Sequence, residues 1–234
     1  MLKYIPVGVV AVLAVFVVGC GSVGGKPKIK VDPIKIPGTQ KTFENNTTKE
    51  DYLKAVRDAR SEKHDCGHYR LNADGSYALD EHGGKITDYN GSDWMPAVEN
   101  DQLHWNESLY KAAYEHNIDM LSMGENVSHT GSGGKTDRTA QINHLGRGST
   151  VEERVLGNGY KYEILYENLT AGIDTDTAEE AVEKWLGSAG HCKHLMDPDV
   201  TEMGMSHVYD PDSVYKHYWT QDLAKPAAEE KGIF

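Results

Sequence analysis

Tyr162-Glu163-Ile164-Leu165-Tyr166-Glu167-Asn168-Leu169-Thr170-Ala171-Gly172 is the stretch on which the fold turns. Tyr162, Ile164 and Tyr166 alternate, which predicts a strand with Glu167 directly after it. A helix start follows soon. Thr177 and Glu180 have capping-box spacing, and Ala181, Val182, Trp185 and Leu186 supply an apolar face behind them. Further on, 203–209 and 216–223 read as two strands, with Asp210-Pro211-Asp212-Ser213 as the turn between them. Upstream the pattern is helical. Thr47 and Glu50 suggest a helix start, continued by Leu53, Val56 and Arg60 and ending before Cys66-Gly67. A second helix is expected over 106–123, with Asn106 as N-cap and Leu109, Ala112, Ala113, His116 and Met120 on one face. His116 reads there as a packed or half-exposed helical histidine. Thr150 and Glu153 open a short third helix that Gly157 and Gly159 close. Between the first two helices, Asp74-Gly75, Gly83-Gly84 and Asn90-Gly91 mark turns, so 67–101 is expected to be a small hairpin excursion. Helices first, then helix and strand mixed, predict an α+β domain of two or three layers.

The N-terminus carries a different message. Lys3 precedes an apolar run over 5–18, and Gly19-Cys20 ends it. That run has the size of a signal-peptide core and falls short of the roughly 20 apolar residues of a spanning helix. Val17-Val18-Gly19-Cys20 resembles the bacterial lipobox, which implies cleavage before Cys20 and lipidation of that cysteine. Gly21 follows the anchor with no acidic residue. In a host with two membranes, resemblance to sorting signals favours the outer one. The next residues are rich in Gly, Lys and Pro and read as a tether. With Cys20 lipidated, Cys66 and Cys192 remain, and an oxidising compartment lets them bond. The net charge of −12 over 234 residues argues against nucleic acid, which wants a basic face.

Eight segments stand out in order: Leu103-His104-Trp105-Asn106 with Leu109, Ser128-His129-Thr130-Gly131, Gly159-Tyr160 and Glu167-Asn168-Leu169-Thr170-Ala171-Gly172, then Ala178-Glu179-Glu180-Ala181-Val182 with Trp185-Leu186, Ser188-Ala189-Gly190-His191, Glu202-Met203-Gly204-Met205 and Tyr218-Trp219-Thr220-Gln221. In that order they together resemble the CAP superfamily of cysteine-rich secretory, antigen 5 and pathogenesis-related 1 proteins, closest to its bacterial SCP-like branch. The resemblance implies an α-β-α sandwich with a central antiparallel sheet. It also implies an open cleft to which His129, Glu167 and His191 contribute, with Ser128 and Asn168 beside them. Together with the N-terminal layout it divides the chain into a signal peptide (1–19), a lipidated N-terminus and linker (20–46), a CAP domain (47–225) and a tail (226–234). The family's second cleft glutamate has no counterpart in Trp185-Leu186-Gly187-Ser188. Gly67-His68-Tyr69 and Gly124-Glu125-Asn126 imitate its motifs out of order.

If His129 and His191 converge, two neutral imidazoles suit zinc or another borderline divalent cation. Glu167 would fix an imidazole tautomer or hold a metal-bound water. Two protein ligands leave open positions, so the expected site is exchangeable. A metal-assisted hydrolase of peptide or envelope polymer is an alternative. However, catalytic zinc usually has three protein ligands, the second acid is missing, and no residue is assigned as catalytic. Cys192 beside His191 is no thiol nucleophile if it is disulfide-bonded. A purely structural or adhesion surface is a further alternative. The expected partners are a membrane, through the N-terminal lipid, and an unidentified cleft ligand: lipid, glycan or peptide.

Overall fold

A computed structural model describes residues 47–80 and 83–228. The expected signal peptide, Cys20 and the linker lie outside the described residues.

Helix α1 (Lys49–Arg60) begins one residue later than its sequence spacing suggests. Its N-cap is Thr48, whose side chain accepts from the Asp51 amide while the Asp51 carboxylate accepts from the Thr48 amide. Thr47 and Thr48 each have an acid three residues on, and the Thr48–Asp51 pair closes the reciprocal box. Arg60, at the end of the expected apolar stripe, is buried but satisfied. Its guanidinium meets Asp101 at 3.0 Å and donates to the carbonyls of Leu195, Asp197 and Val200.

The excursion is a meander of two-residue strands. β1 (His64–Asp65) pairs with β4 (Trp94–Met95), and β2 (His68–Tyr69) with β3 (Thr87–Asp88). Single bridges Leu71–Tyr77 and Leu79–Lys85 extend it around the Asp74-Gly75 and Gly83-Gly84 turns. Next come β5 (His104–Trp105), α2 (Glu107–Met120) with Asn106 as N-cap, and a 3-10 turn over Leu121–Met123. A short helix that the sequence pattern does not announce, α3 (Arg138–Asn143), precedes α4 (Val151–Gly157). Strand β6 (Tyr162–Gly172) runs well past the alternating residues, so Glu167 and Asn168 lie inside it. Helices α5 (Ala178–Leu186) and α6 (Ala189–Met196) lead to β7 (Glu202–Tyr209) and β8 (His217–Pro226).

The sheet order is β5-β7-β8-β6. Every pairing is antiparallel except β5 with β7, a two-residue parallel contact made just before α2. The central strands β7 and β8 are covered on both faces. On one face lies α2, seated so closely that a Cβ on Gly204 would collide with the Tyr110 backbone. Asn117 of α2 donates to the Ser206 carbonyl and accepts from Thr220. On the other face α1, α5 and α6 enclose the main core of Val56, Trp185, Leu195, Met203, Met205, Trp219 and Leu223. The result is an α-β-α sandwich. Cys66 and Cys192 form a disulfide across 126 residues, both fully buried, joining the excursion to α6. In the chain-entropy account a loop this long confers roughly 4–5 kcal/mol, though measured values are nearer 2–4.

Candidate functional site

The site follows from one strand being at the edge. β6 ends the sheet, so the side beyond it is open. Successive strand residues point to opposite faces. Glu167 therefore enters the α2 side and Asn168 the α6 side, in register with Asp222 and Gln221 of β8.

Glu167 is buried, and both of its oxygens are committed. Oε1 accepts from His129 Nδ1 at 2.9 Å and Oε2 from Arg154 Nη2 at 2.7 Å. Arg154 also donates to the carbonyls of His129 and Ser149, so one guanidinium ties α4, the His129 loop and β6 together. Burial alone would raise the Glu167 pKa. The Arg154 cation, with His116 and His129, overcomes it and holds the carboxyl at about 2. Asp222, directly across the ladder, goes the other way. Burial and the Glu167 charge push it well up, and among the described residues neither carboxyl oxygen has a hydrogen-bond partner. The two carboxyls divide the roles, one ionised and one neutral.

Of the two readings its helical position allows, packed or half-exposed, His116 takes the packed one. Its Nε2–H donates to the Ser128 carbonyl at 2.8 Å, and burial lowers its pKa to about 4. It pins the loop that carries His129. Ser128 thus serves this loop through its carbonyl, while its hydroxyl accepts from the Thr130 amide at 3.1 Å.

On the far side of the edge, His191 lies on α6 rather than in a turn. Burial, with His129 and His194 nearby, lowers its pKa to about 4. The His129 and His191 rings face one another at 6.4 Å between centroids. Asn168 is buried, donates to Gln221 at 3.0 Å and accepts from His194 Nδ1 at 2.9 Å. Sequence reasoning passes over Arg154, Asp222 and His194. The first two are polar residues in apolar patterns. His194 has a legible signal, its three-residue spacing from His191, once α6 is recognised as a helix.

His129 and His191 line a cleft of about 480 Å³ with Leu169, Thr170, Lys184, Trp185 and Ser188. Its opposite wall is the excursion, through Tyr69, Asp80, Gly84 and Lys85. Tyr69 reaches α6 so closely that its hydroxyl occupies the space a Cβ on Gly190 would need. His68, the out-of-order histidine beside it, is half exposed and 3.9 Å from Asp93. No carboxylate of α5 lines the cleft; Lys184 and Trp185 of α5 do, with Ser188 just before α6.

The donor chemistry fits a soft-to-borderline cation. The Nδ1–H of His129 is taken by Glu167, which leaves Nε2 as its lone-pair nitrogen, and His191 is neutral at physiological pH. Among the described residues, no three His, Cys, Asp or Glu side chains are close enough to share an ion as they stand.

An α-β-α sandwich with a histidine- and glutamate-furnished cleft at the open edge of its sheet defines the class of protein. The family model described as the cysteine-rich secretory protein family, CAP, matches residues 69–223, and the chain belongs to that family. No curated protein matches it. Among solved structures it is similar to an extracellular protein containing an SCP domain from Bacillus anthracis. That match has 23% identity, covers 53% of this chain and 33% of the other, and has a TM-score of 0.38. This chain thus spans about a third of that protein's length. An outer surface protein from Borrelia burgdorferi matches at 20% identity, 54% and 80% coverage and TM-score 0.41. Venom allergen-like protein 4 from Schistosoma mansoni matches at 13% identity, 77% and 87% coverage and TM-score 0.35. No described helix is long and apolar enough to cross a membrane.

Proposed function

We propose that this chain is a membrane-tethered, extracytoplasmic CAP-domain lipoprotein whose cleft binds a divalent cation, and with it an unidentified ligand, without turnover. The observation that carries the cation reading is the His129 imidazole, oriented through Nδ1 by the buried Glu167 and facing His191 across the cleft. His129 and His191 would hold the ion. When bound, it would supply a Lewis-acidic point for an oxygen or nitrogen of the ligand. Turnover is disfavoured by the state of the acid. Glu167 is ionised and occupied at both oxygens, so it is not free to take a proton from water. The buried disulfide suits an oxidising compartment, and the layout around Cys20 supports the tether.

Zinc titration calorimetry of the chain tests the site. Micromolar-range binding is expected, weakened at least tenfold by His129→Ala or His191→Ala and less by Glu167→Gln. Equal affinity in the wild type and the double histidine variant would remove the cation site and leave a surface module. The tether has its own test. Cys20→Ser should abolish metabolic acyl labelling, and unchanged labelling would refute the lipid anchor.

A further inference from the structure

We propose that the cleft contains an oxyanion subsite at the N-terminus of α6, where a carboxylate or phosphate group of the ligand docks between Lys85 and the first turn of the helix. This rests on the reading that the cleft binds a ligand, gives that ligand a chemical class, and is independent of the cation. Ser188 and His191, at the start of α6, both line the cleft. Ser188 is the N-cap, yet its side chain makes no capping hydrogen bond, and the first turn carries no acid. The Ala189 amide donates to Thr87 Oγ1 at 3.0 Å, while the Gly190 and His191 amides have no acceptor among the described residues. Free first-turn amides and the positive end of the helix dipole favour an anion. A second observation points the same way. Trp185 is 1% exposed and lines the same cleft, and its indole Nε1–H has no acceptor among the described residues. A buried indole N–H ordinarily finds a partner, and a ligand oxygen on the cleft floor would be one.

The opposite wall brings a cation to this point through an internal repeat. Tyr69-Arg70-Leu71-Asn72, Tyr77-Ala78-Leu79-Asp80 and Lys85-Ile86-Thr87-Asp88 recur at eight-residue intervals, and each is followed three residues later by Gly75, Gly83 or Gly91. All three glycines have positive φ, which closes each unit with a turn. The units bond to one another in a ring. The Arg70 amide donates to the Ile86 carbonyl, the Ile86 amide to Ala78, and the Ala78 amide to Arg70, at 2.8–3.0 Å. The residues that open the units are thereby drawn together. Lys85 Nζ sits 4.0 Å from the Tyr77 ring centroid and 4.9 Å from that of Tyr69, and the two rings meet edge to face at 5.5 Å. A lysine stands where the other two units have tyrosine, and cation–π contact holds its ammonium at the wall. The Tyr69 hydroxyl in turn lies against Gly190, so ring, ammonium and helix start adjoin.

The charge balance of the lining leaves this ammonium for the ligand. Lys184 is matched by Asp174 at 2.8 Å. Asp80 is the one carboxylate among the described lining residues, and its Oδ1 accepts from the Gly84 amide at 2.8 Å, which ties it to its own turn. Among the described residues, no carboxylate lies within ion-pair reach of Lys85. Donors thus outnumber acceptors where Lys85, Ser188, Trp185 and the first turn of α6 meet. Carboxylate and phosphate share the acceptor oxygens that such a set recognises, and an ammonium takes either as a point charge.

The test uses the full chain with a chelator present, at constant ionic strength set with chloride, and titrates inorganic phosphate or acetate. In proton–nitrogen NMR, the Gly190 and His191 amides and the Trp185 indole N–H should shift together and saturate. Lys85→Gln and Ser188→Ala should each weaken binding by about fivefold or more, with circular dichroism confirming the fold. Lys63→Gln removes a lysine that lies over Trp94, away from the cleft, and should change nothing. Tighter phosphate than acetate would assign a phosphate-bearing ligand, and the reverse a carboxylate. Unmoved Gly190, His191 and Trp185 signals with both anions, or equal affinity in Lys85→Gln and the wild type, would overturn the subsite and leave the zinc reading untouched. Anion shifts retained in a chain that fails to bind zinc would overturn the cation site and leave this one standing.

Discussion

At the scale of the residue, the centre of this protein is a buried charge arrangement rather than a single reactive group. Arg154 is wholly buried and is the counter-ion that lets Glu167 stay ionised. Removing it leaves a carboxylate without its cation in a dry setting, so Arg154→Met should cost about 3–5 kcal/mol in urea denaturation. Asp222 offers the opposite case. Its folded pKa lies above its unfolded value, so its contribution is full at low pH and is lost as pH rises toward the folded pKa. Asp222→Asn keeps the neutral shape and cannot ionise. Near pH 7 it should match or exceed the wild type in stability, with an advantage that grows as pH is raised. A variant less stable than wild type by more than about 1 kcal/mol at neutral pH would show that Asp222 is needed as a carboxylate. Little of this is legible in the sequence. His129, Glu167 and His191 lie 38 and 24 positions apart, and only the family resemblance joins them. Arg154 and Asp222 carry no motif, because their meaning comes from each other.

At the scale of the element, legibility follows the range of the forces involved. The Thr150 and Thr177 capping boxes stand where the spacing puts them, because a cap is a contact over three residues. The Thr48 cap differs by one residue, because two neighbouring threonines offer the same pattern. Strand β6 outruns its alternating signal because ladder bonds to β8 hold Glu167 through Gly172 whatever their own polarity. Helix α6 is hidden by a sequence of Gly190, two histidines and a cysteine, none a strong helix former. Its place is fixed by packing of Leu195 and Met196 and by the disulfide at Cys192. The excursion shows its turns in the sequence but not its role. Only the folded chain brings Tyr69, Asp80 and Lys85 to the cleft wall.

At the scale of the whole molecule, burial of histidines sets the response to acid. His116, His191 and His194 are lowered to about 4 and His207 to about 3, each chiefly by burial. All four are neutral in both folded and unfolded chains well above pH 6.5. Below that, the unfolded chain takes up protons that the fold refuses, so stability is lost as pH falls toward about 4. Each such histidine adds a slope of up to about 1.4 kcal/mol per pH unit. Urea midpoints should therefore fall steadily between about pH 7 and pH 5, and His207→Gln should flatten the slope. A midpoint independent of pH over that range would show that these rings ionise freely in the fold. The sequence by itself determined the α+β class, two capping boxes and the order of the family segments. These rest on local spacing and order. Tertiary structure alone decided that β6 lies at the sheet edge, and with it everything at the site. An edge strand exposes both faces to one opening, so adjacent residues Glu167 and Asn168 hold imidazoles from opposite layers. No local pattern encodes which strand will be last.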